Sequence, residues 1–201
     1  MTRWEAPAML DGSDASWPIP RLKALSYAVG VLLKGDGSAC ITRKTDYAGG
    51  FLKVYRAYKI VLKNKSLGFI RAFDNAVSKV LCRTRVRIAT HKQDGHFQIQ
   101  YCSKAFVSWW LHQTFTDFKR IIEVFPVEYL RGRFDSDCNV HGHGVVLFGA
   151  ICQLRIMEFE RDLCMRLGMR VGKIRPDGKP GETTYVGSKL QSAKSRKSDS
   201  T

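Results

Sequence analysis

Apolar residues recur at helical spacing near the start of the chain. One face of this segment carries Leu22, Leu25, Val29, Leu32 and Leu33. Small or apolar residues fill the other side, so the spacing predicts a helix that is buried nearly all round. We expect the helix to end at Asp36-Gly37, where a glycine permits a left-handed exit. Residues 1–20, which include three prolines, are expected to form an irregular leader.

A period of two residues follows this helix. ACITRKT (39–45) and FLKVYRAYKIVLK (51–63) are predicted to form two strands joined at Gly49-Gly50. The second strand is apolar on one face and basic on the other. The basic face carries Lys53, Tyr55, Lys59 and Lys63. Residues 66–81 return to helical spacing and predict a second helix.

A hairpin is predicted next, from the alternation in RTRVRIATHK (83–92) and HFQIQY (96–101) across a turn at Gln93-Asp94-Gly95. Its polar face carries Arg83, Arg85, Arg87, His91, His96, Gln98 and Gln100. Arginine fits guanine edges and phosphate oxygens, and glutamine can pair with adenine, so this face has the chemistry to contact a major groove. A solvated sheet face is the alternative, but such faces usually mix charges of both signs, and acids are nearly absent here.

The order of elements then repeats. A helical VEYLRGRFDSDCNV (127–140) precedes a strand-like VVLFGAI, a helical LRIMEFERDLCMRLGM (154–169) and a second hairpin. Both leading helices end in an acid followed by a small residue, Asp36 before Gly37 and Asp137 before Cys138. The first copy closes with a helix at 104–124, whereas the second ends in a polar, basic tail at 190–201 that we expect to be disordered.

Composition adds a strong charge to this pattern. The 201 residues suffice for one large core or two small ones, and 33 Lys and Arg against 18 Asp and Glu give a net charge of +15. Such an excess favours polyanions. No segment approaches ~18 uncharged apolar residues and no signal or transit peptide is recognisable, so we predict a cytoplasmic protein without a membrane partner. The six cysteines form no C-x-x-C pair and fit reduced thiols.

Two nonamers carry a resemblance to a known family. VGVLLKGDG (29–37) and LRGRFDSDC (130–138), 101 residues apart, resemble the two copies of the LAGLIDADG motif. Roughly residues 22–189 resemble a single-chain LAGLIDADG homing endonuclease of the archaeal or organellar intron-encoded type. The resemblance implies an α+β fold of two pseudo-symmetric αββαββ(α) repeats, each a saddle-shaped antiparallel sheet on helices, with the two motif helices at the interface. The first repeat would span 21–120 and the truncated second repeat 121–189.

The resemblance also implies an activity. Such a protein is a site-specific double-strand DNA endonuclease, a monomer with internal pseudo-twofold symmetry that hydrolyses one phosphodiester per strand of a long asymmetric target and leaves short 3′ overhangs. Asp36 and Asp137, with the backbone carbonyls of Gly35 and Ser136, would bind the divalent metal. Mg²⁺ or Mn²⁺ is the implied cofactor, and Ca²⁺ could bind without supporting cleavage. A carboxylate is poorly placed at the negative end of a helix dipole unless a cation is near, which favours metal over a simple turn residue.

Both motifs depart from the family pattern. Close packing of two helices needs small residues about one turn apart, and the second motif supplies Gly132 and Ser136. The first motif has Val31 at its third position and Gly30 one place early, and the second ends in Cys138 instead of glycine. Both acids remain in place.

The resemblance extends to further residues. Asn64 and Lys65 stand where relatives often have a Gln-Lys pair, and Gln153 occupies the matching place in the second half, so all three are candidate catalytic residues. Asp135 lies on another side of its helix and is expected to be structural or exposed to solvent. The candidate DNA contacts are Arg43, Lys53, Tyr55, Lys59, Lys63, Arg83, Arg85, Arg87, His91, Lys92, His96, Gln98, Gln100, His141, His143, Arg170, Lys173, Arg175 and Lys179.

Alternatives remain at this point. Cys138, His141 and His143 form a C-x-x-H-x-H sequence, but it lacks a fourth zinc ligand at the usual spacing, so contact of the histidines with phosphate or bases is preferred. Two other functions suit the same fold, namely an RNA maturase that assists splicing of its own intron and a DNA-binding protein without catalysis. The two intact acids argue against the second of these and only mildly against the first.

Overall fold

A computed structural model describes residues 17–48, 51–137, 139–141, 145–147, 154–177 and 184–187. These residues fall into two compact units with the boundary between Ser136 and Asp137. The helices of the described part are α1 (Ile19–Lys34), α2 (Leu67–Leu81), α3 (Lys104–His112), α4 (Phe115–Val124), α5 (Pro126–Asp137) and α6 (Leu154–Arg166). The strands are β1 (Gly37–Ala48), β2 (Phe51–Asn64), β3 (Ala89–His91), β4 (His96–Cys102), β5 (Asn139–His141), β6 (Val145–Leu147), β7 (Ile174–Asp177) and β8 (Thr184–Gly187).

The fold is α+β, as predicted. Strands β1 to β4 form an antiparallel sheet in the order β1-β2-β4-β3, while β5 pairs with β6 and β7 pairs with β8. The order helix, strand pair, helix, strand pair therefore occurs twice along the described chain. In the first unit, the hydrophobic core lies between one face of the sheet and helices α1 and α2, and it includes the buried side chains of Ile60 and Leu62 in β2 and of Ile70 and Phe73 in α2.

Helix α1 is buried on nearly every side, which confirms the prediction from its spacing. Leu25, Val29 and Val31 are fully buried. The predicted left-handed exit is wrong, because Gly35 caps the helix in an extended conformation (φ −105°, ψ −163°) and β1 begins at Gly37. Gly37 is closely packed, since a Cβ there would lie 3.0 Å from side-chain atoms of Val31 and Leu32, which would have to shift to admit it.

The predicted hairpin after α2 is shorter than the alternation suggested. Strand β3 covers only Ala89–His91, and residues 83–88 form no strand. The buried carboxylate of Asp74 explains the difference, because it accepts a hydrogen bond from the Tyr101 hydroxyl and one from the Val86 backbone N–H (3.4 Å). These bonds tie the segment to α2 instead of to the sheet. The predicted turn at residues 93–95 is confirmed, with Gly95 at φ +67°.

One predicted helix is in fact two. The segment 104–124 breaks between α3 and α4 because Thr114 starts a new helix with a capping box. The Thr114 side chain accepts from the backbone N–H of Asp117, and the Asp117 carboxylate accepts from the backbone N–H of Thr114. Trp110 packs 4.4 Å from the Phe118 ring across the break, which keeps the two helices together.

No helix in the described part of the chain is long and apolar enough to cross a membrane.

Candidate functional site

The site is built on the crossing of α1 and α5. A Cβ on Gly30 would overlap the backbone oxygen of Tyr129, and a Cβ on Gly132 would overlap the backbone oxygen of Tyr27. The two helices therefore meet backbone to backbone, which only glycine allows. Gly30 makes this contact although it stands one place early in the motif, and Val31 turns into the core.

The same contact continues to the carboxyl ends of both helices. A Cβ on Gly35 would lie 2.5 Å from the hydroxyl oxygen of Ser136. That hydroxyl donates to the backbone oxygen of Arg133 (3.0 Å), which keeps the Ser136 side chain against its own helix. Asp36 follows Gly35 in the chain, and Asp137 follows Ser136. Each predicted acid is thus the next residue after one member of this contact.

Asp36 lies in the bend between α1 and β1, with its side chain exposed. The Asn64 amide donates to an Asp36 carboxylate oxygen at 2.7 Å. The Asn64 carbonyl oxygen accepts from the Ser66 backbone N–H at 2.8 Å, and the Ser66 hydroxyl caps α2. Because the N–H of Ser66 fixes which end of the amide is the acceptor, the amide donor faces Asp36. The structure therefore joins two predicted site residues; Lys65, between Asn64 and Ser66, is exposed.

Asp137 is the last residue of α5 and is half-buried. The last turn of α5 carries no basic side chain, although it holds two aspartates. The other one, Asp135, accepts a hydrogen bond from the Tyr27 hydroxyl at 2.8 Å, as expected of a structural residue. The pKa of Tyr27 lies well above its ordinary value, mainly because of burial and secondly because of this hydrogen bond.

The donors at these helix ends fit a divalent cation. Mg²⁺ and Mn²⁺ prefer oxygen ligands, and Mg²⁺ is often held by one or two carboxylates together with substrate phosphates. The last carbonyls of a helix lack intrahelical partners and carry partial negative charge, so Gly35 and Ser136 present suitable oxygens. The described residues contain no group of three or more His, Cys, Asp and Glu placed to hold a metal ion. Gln153 lies outside the described residues.

The sheet has one polar face, which we call the front face. The register of β2 and β4 places Lys59 opposite Cys102 and Lys63 opposite Gln98 on this face. The front face therefore combines ammonium groups with amides that can contact bases.

Polar contacts organise the end of the front face. The His91 ring and the Gln98 side-chain oxygen lie 2.8 Å apart, and Asp94 pairs with Lys63 and accepts from the backbone N–H of His96 (3.1 Å). The hydrogen bond from Lys63 is the main cause that holds the pKa of Asp94 far below its usual range. Asp94 thus positions Lys63 and His96 at the turn.

Other predicted contacts are placed differently. Arg83 donates to the backbone oxygen of Cys102 (2.8 Å) and Arg85 to the side-chain oxygen of Asn75 (3.1 Å), so both guanidinium groups already bind the protein. Arg43 lies on the opposite face of the sheet from Lys59, directly across from Arg56. Arg56 was not among the candidate DNA contacts predicted from the sequence. Strict alternation along β2 places it on the apolar face, where it is the one cation.

The remaining candidate contacts divide by position. Exposed side chains on strands, turns or the segments beside them belong to Lys53, Tyr55, Arg87, Lys92, Gln100, Arg170 and Lys173. His141 and Arg175 lie in strands β5 and β7. The positions Cys138, His143 and Lys179 lie outside the described residues.

Comparison with solved structures shows that this chain has the LAGLIDADG fold, which confirms the predicted resemblance at the level of the fold. Mesophilic variants of the homing endonuclease I-DmoI match with a TM-score of 0.59 and 17% identity, covering 86% of this chain and 90% of that one. I-DmoI in complex with DNA and Mn matches with a TM-score of 0.57 and 15% identity, covering 85% and 90%.

A second group of matches carries the same fold. The N-terminal LAGLIDADG domain of DUF199/WhiA has a TM-score of 0.52 and 16% identity, with coverage of 91% of this chain and 80% of that one. The chain covers 54% of full-length DUF199/WhiA from Thermatoga maritima, also with a TM-score of 0.52. No family model and no curated protein matches the sequence.

Proposed function

We propose that this protein is a homing endonuclease that binds a long asymmetric DNA target as a monomer and cleaves both strands with a divalent metal. The observation that carries the proposal is the contact of Gly35 with Ser136, because it joins two helices at the residues that precede Asp36 and Asp137. The fold alone would suit a binding protein equally well. A glycine crossing that leads to one acid at the end of each helix suits a nuclease that cuts two strands.

Each residue has a specific role in this proposal. A bound Mg²⁺ or Mn²⁺ would supply charge neutralisation at phosphorus and an activated water. Asp36 and Asp137 would provide its carboxylate ligands, and the backbone carbonyls of Gly35 and Ser136 would provide further oxygen ligands. Two acids serve two scissile phosphates, one in each strand. The products would carry short 3′ overhangs.

The residues beside Asp36 assist it. Asn64 holds the Asp36 carboxylate through its amide, and this places the charge at the end of α1. Lys65 would stabilise the negative charge that develops on the phosphate oxygens during hydrolysis. Gln153 is the proposed counterpart in the second half of the chain.

The front face supplies the DNA contacts in this proposal. Its lysines would contact phosphates, while Gln98 and Gln100 would contact base edges in the major groove. The net charge of +15 provides the attraction that brings the target to this face. Salt should therefore weaken binding strongly, because each phosphate contact releases a counterion.

Cleavage of an intronless host-gene junction tests the proposal. The purified protein is incubated with a plasmid carrying this junction and Mg²⁺, and specific linearisation is expected. Replacing Mg²⁺ with Ca²⁺ should retain binding without cleavage. Uncut DNA together with stimulated splicing of the intron RNA would favour the maturase instead, and uncut DNA that is bound site-specifically would favour a non-catalytic binding protein.

Asn64→Asp should move the acid limb of the cleavage rate to higher pH. The new carboxylate can still accept from the Ser66 N–H, but it stands beside Asp36, and two adjacent carboxylates resist ionising together. Single-turnover rates across pH would measure the shift. Asn64→Ala is the control, since it removes the hydrogen bond without adding charge and should move the limb less than Asn64→Asp does. An unchanged profile for Asn64→Asp would show that the contact with Asp36 has no part in the reaction.

A further inference from the structure

The hairpin of β1 and β2 extends beyond the helices that cover the sheet. On the face opposite the front face, which we call the back face, Ile60 and Leu62 are buried near the base of the hairpin. Farther out, the same face is open to solvent, with Tyr47 78% exposed and its cross-strand partner Leu52 54% exposed. Val54 is also exposed. The apolar face of the sheet therefore continues past its core, which is unusual for a surface without a partner.

Two like charges interrupt this apolar surface. Arg43 of β1 lies directly opposite Arg56 of β2, and both are exposed. Like charges at directly paired positions destabilise a sheet. Within the described part of the chain, neither guanidinium has a hydrogen bond or an ion pair. A bound anion between them would remove the repulsion and use the fork geometry of both groups.

The pair of arginines and the exposed ring lie close along the ribbon. Going outward on the back face, the Arg43 and Arg56 pair is followed by Thr45 opposite Val54 and then by Tyr47 opposite Leu52. Successive positions on one face of a strand are about 7 Å apart, so the backbone of Tyr47 lies roughly 14 Å from the backbone of Arg43. This is the scale of two to three nucleotides of an extended strand. A site that binds anions and an exposed apolar surface thus follow one another along the hairpin.

We propose that the back face of this hairpin binds single-stranded nucleic acid, with Arg43 and Arg56 on the phosphates and Tyr47 and Leu52 against unpaired bases. Single strands offer both a charged backbone and free aromatic faces, and aromatic side chains combined with arginines are the usual means of binding them. A duplex hides the faces of its bases in its own stack. The proposal goes beyond cleavage of duplex DNA and requires neither Asp36 nor metal.

The front face of the same hairpin supplies a matched control. Lys44 and Tyr55 are directly opposite each other there, both exposed, so they offer a cation and an aromatic ring in the same kind of cross-strand pair. Strand pleating separates them from Tyr47 and Leu52 by the thickness of the ribbon. Binding through the back face should therefore be insensitive to the substitution of Lys44 and Tyr55.

Fluorescence anisotropy with a labelled oligo(dT) strand and with a labelled duplex tests the proposal. Tyr47→Ser with Leu52→Ser, and separately Arg43→Gln with Arg56→Gln, should each weaken oligo(dT) binding by about tenfold or more. Duplex affinity should stay at the wild-type value in both. The arginine variant should also show a smaller salt dependence, by up to about 0.7 in log–log slope per lost phosphate contact. Lys44→Gln with Tyr55→Ser should weaken oligo(dT) binding much less than either back-face pair does.

Several results would overturn this assignment. Wild-type affinity of both back-face variants for oligo(dT) would do so, and so would an equal loss on the duplex. A wild-type dimer that Tyr47→Ser with Leu52→Ser dissociates, measured by light scattering, would assign the face to a second copy of the chain. Binding to phosphatidylserine vesicles that is lost in the same variants, with oligo(dT) binding intact, would assign it to a membrane surface. All substituted side chains are exposed, and the thermal unfolding of each variant confirms that it is folded.

Discussion

Asp36→Asn and Asp137→Asn are each expected to abolish double-strand cleavage and to leave DNA binding intact. Asparagine keeps the size of aspartate and one oxygen, but it removes the negative charge that a divalent cation requires of its ligands. Asn64 can still donate to the remaining oxygen at position 36, so the bend after α1 should keep its conformation. The loss of one electrostatic group at a reacting phosphate typically costs about 100-fold or more in rate. Cleavage of supercoiled plasmid in Mg²⁺ would separate uncut, nicked and linear products.

Asp135→Asn is the matched control for these two variants. Asp135 lies two residues before Asp137 in the same helix, and its carboxylate is bound by the Tyr27 hydroxyl. An asparagine oxygen can accept the same hydrogen bond, so this variant should cleave at the wild-type rate. Loss of DNA binding or of thermal stability in Asp36→Asn and Asp137→Asn, in the absence of such a loss in Asp135→Asn, would mean that the acids are structural. Unfolding midpoints and binding isotherms of all three variants distinguish these cases.

Segments with a regular hydrophobic period could be predicted from the sequence. A segment held in place by a contact with a distant residue could not. The spacing of apolar residues predicted α1 and α2 to within a few residues, because the buried face of a helix determines which local positions are apolar. Residues 83–88 alternate like a strand, yet the carboxylate of Asp74 binds the backbone of this segment from a helix. A contact between residues distant in sequence leaves no periodic signal. The break before α4 did have a local signal, the Thr114 and Asp117 capping pair.

The candidate site divides in the same way. The two candidate acids were predicted from motif positions alone, since each stands at the end of a helix of similar pattern. The pairing of Asn64 with Asp36 depends on the register of β1 and β2, which sets Gly37 opposite Leu62, and single sequences do not fix register. The motif also did not predict that Gly30 lies at the helix crossing. A shift of one residue rotates a helix by about 100°, and only the packed structure shows which side contacts the neighbouring helix.

Gly30→Ala and Gly132→Ala should strongly destabilise the protein. In each case the new methyl group would overlap a backbone oxygen of the facing helix, Tyr129 for Gly30 and Tyr27 for Gly132. Backbone atoms cannot move aside as the end of a flexible side chain can, so the helices must separate along their whole contact. Overpacking of this kind costs about 3 kcal/mol at the upper end of the usual range. Chemical denaturation followed by circular dichroism would measure the free energy of unfolding.

Gly68→Ala separates this effect from helix propensity. Gly68 lies in the first turn of α2, and a Cβ there meets nothing closer than the Ser66 hydroxyl at 3.9 Å. Alanine should raise the free energy of unfolding there by up to about 1 kcal/mol, because it favours the helix and adds no clash. The two kinds of glycine should therefore respond with opposite signs. If Gly30→Ala changes the free energy of unfolding in the same direction as Gly68→Ala, the backbones of α1 and α5 do not meet at Gly30, and the helix contact on which the proposed site rests is absent.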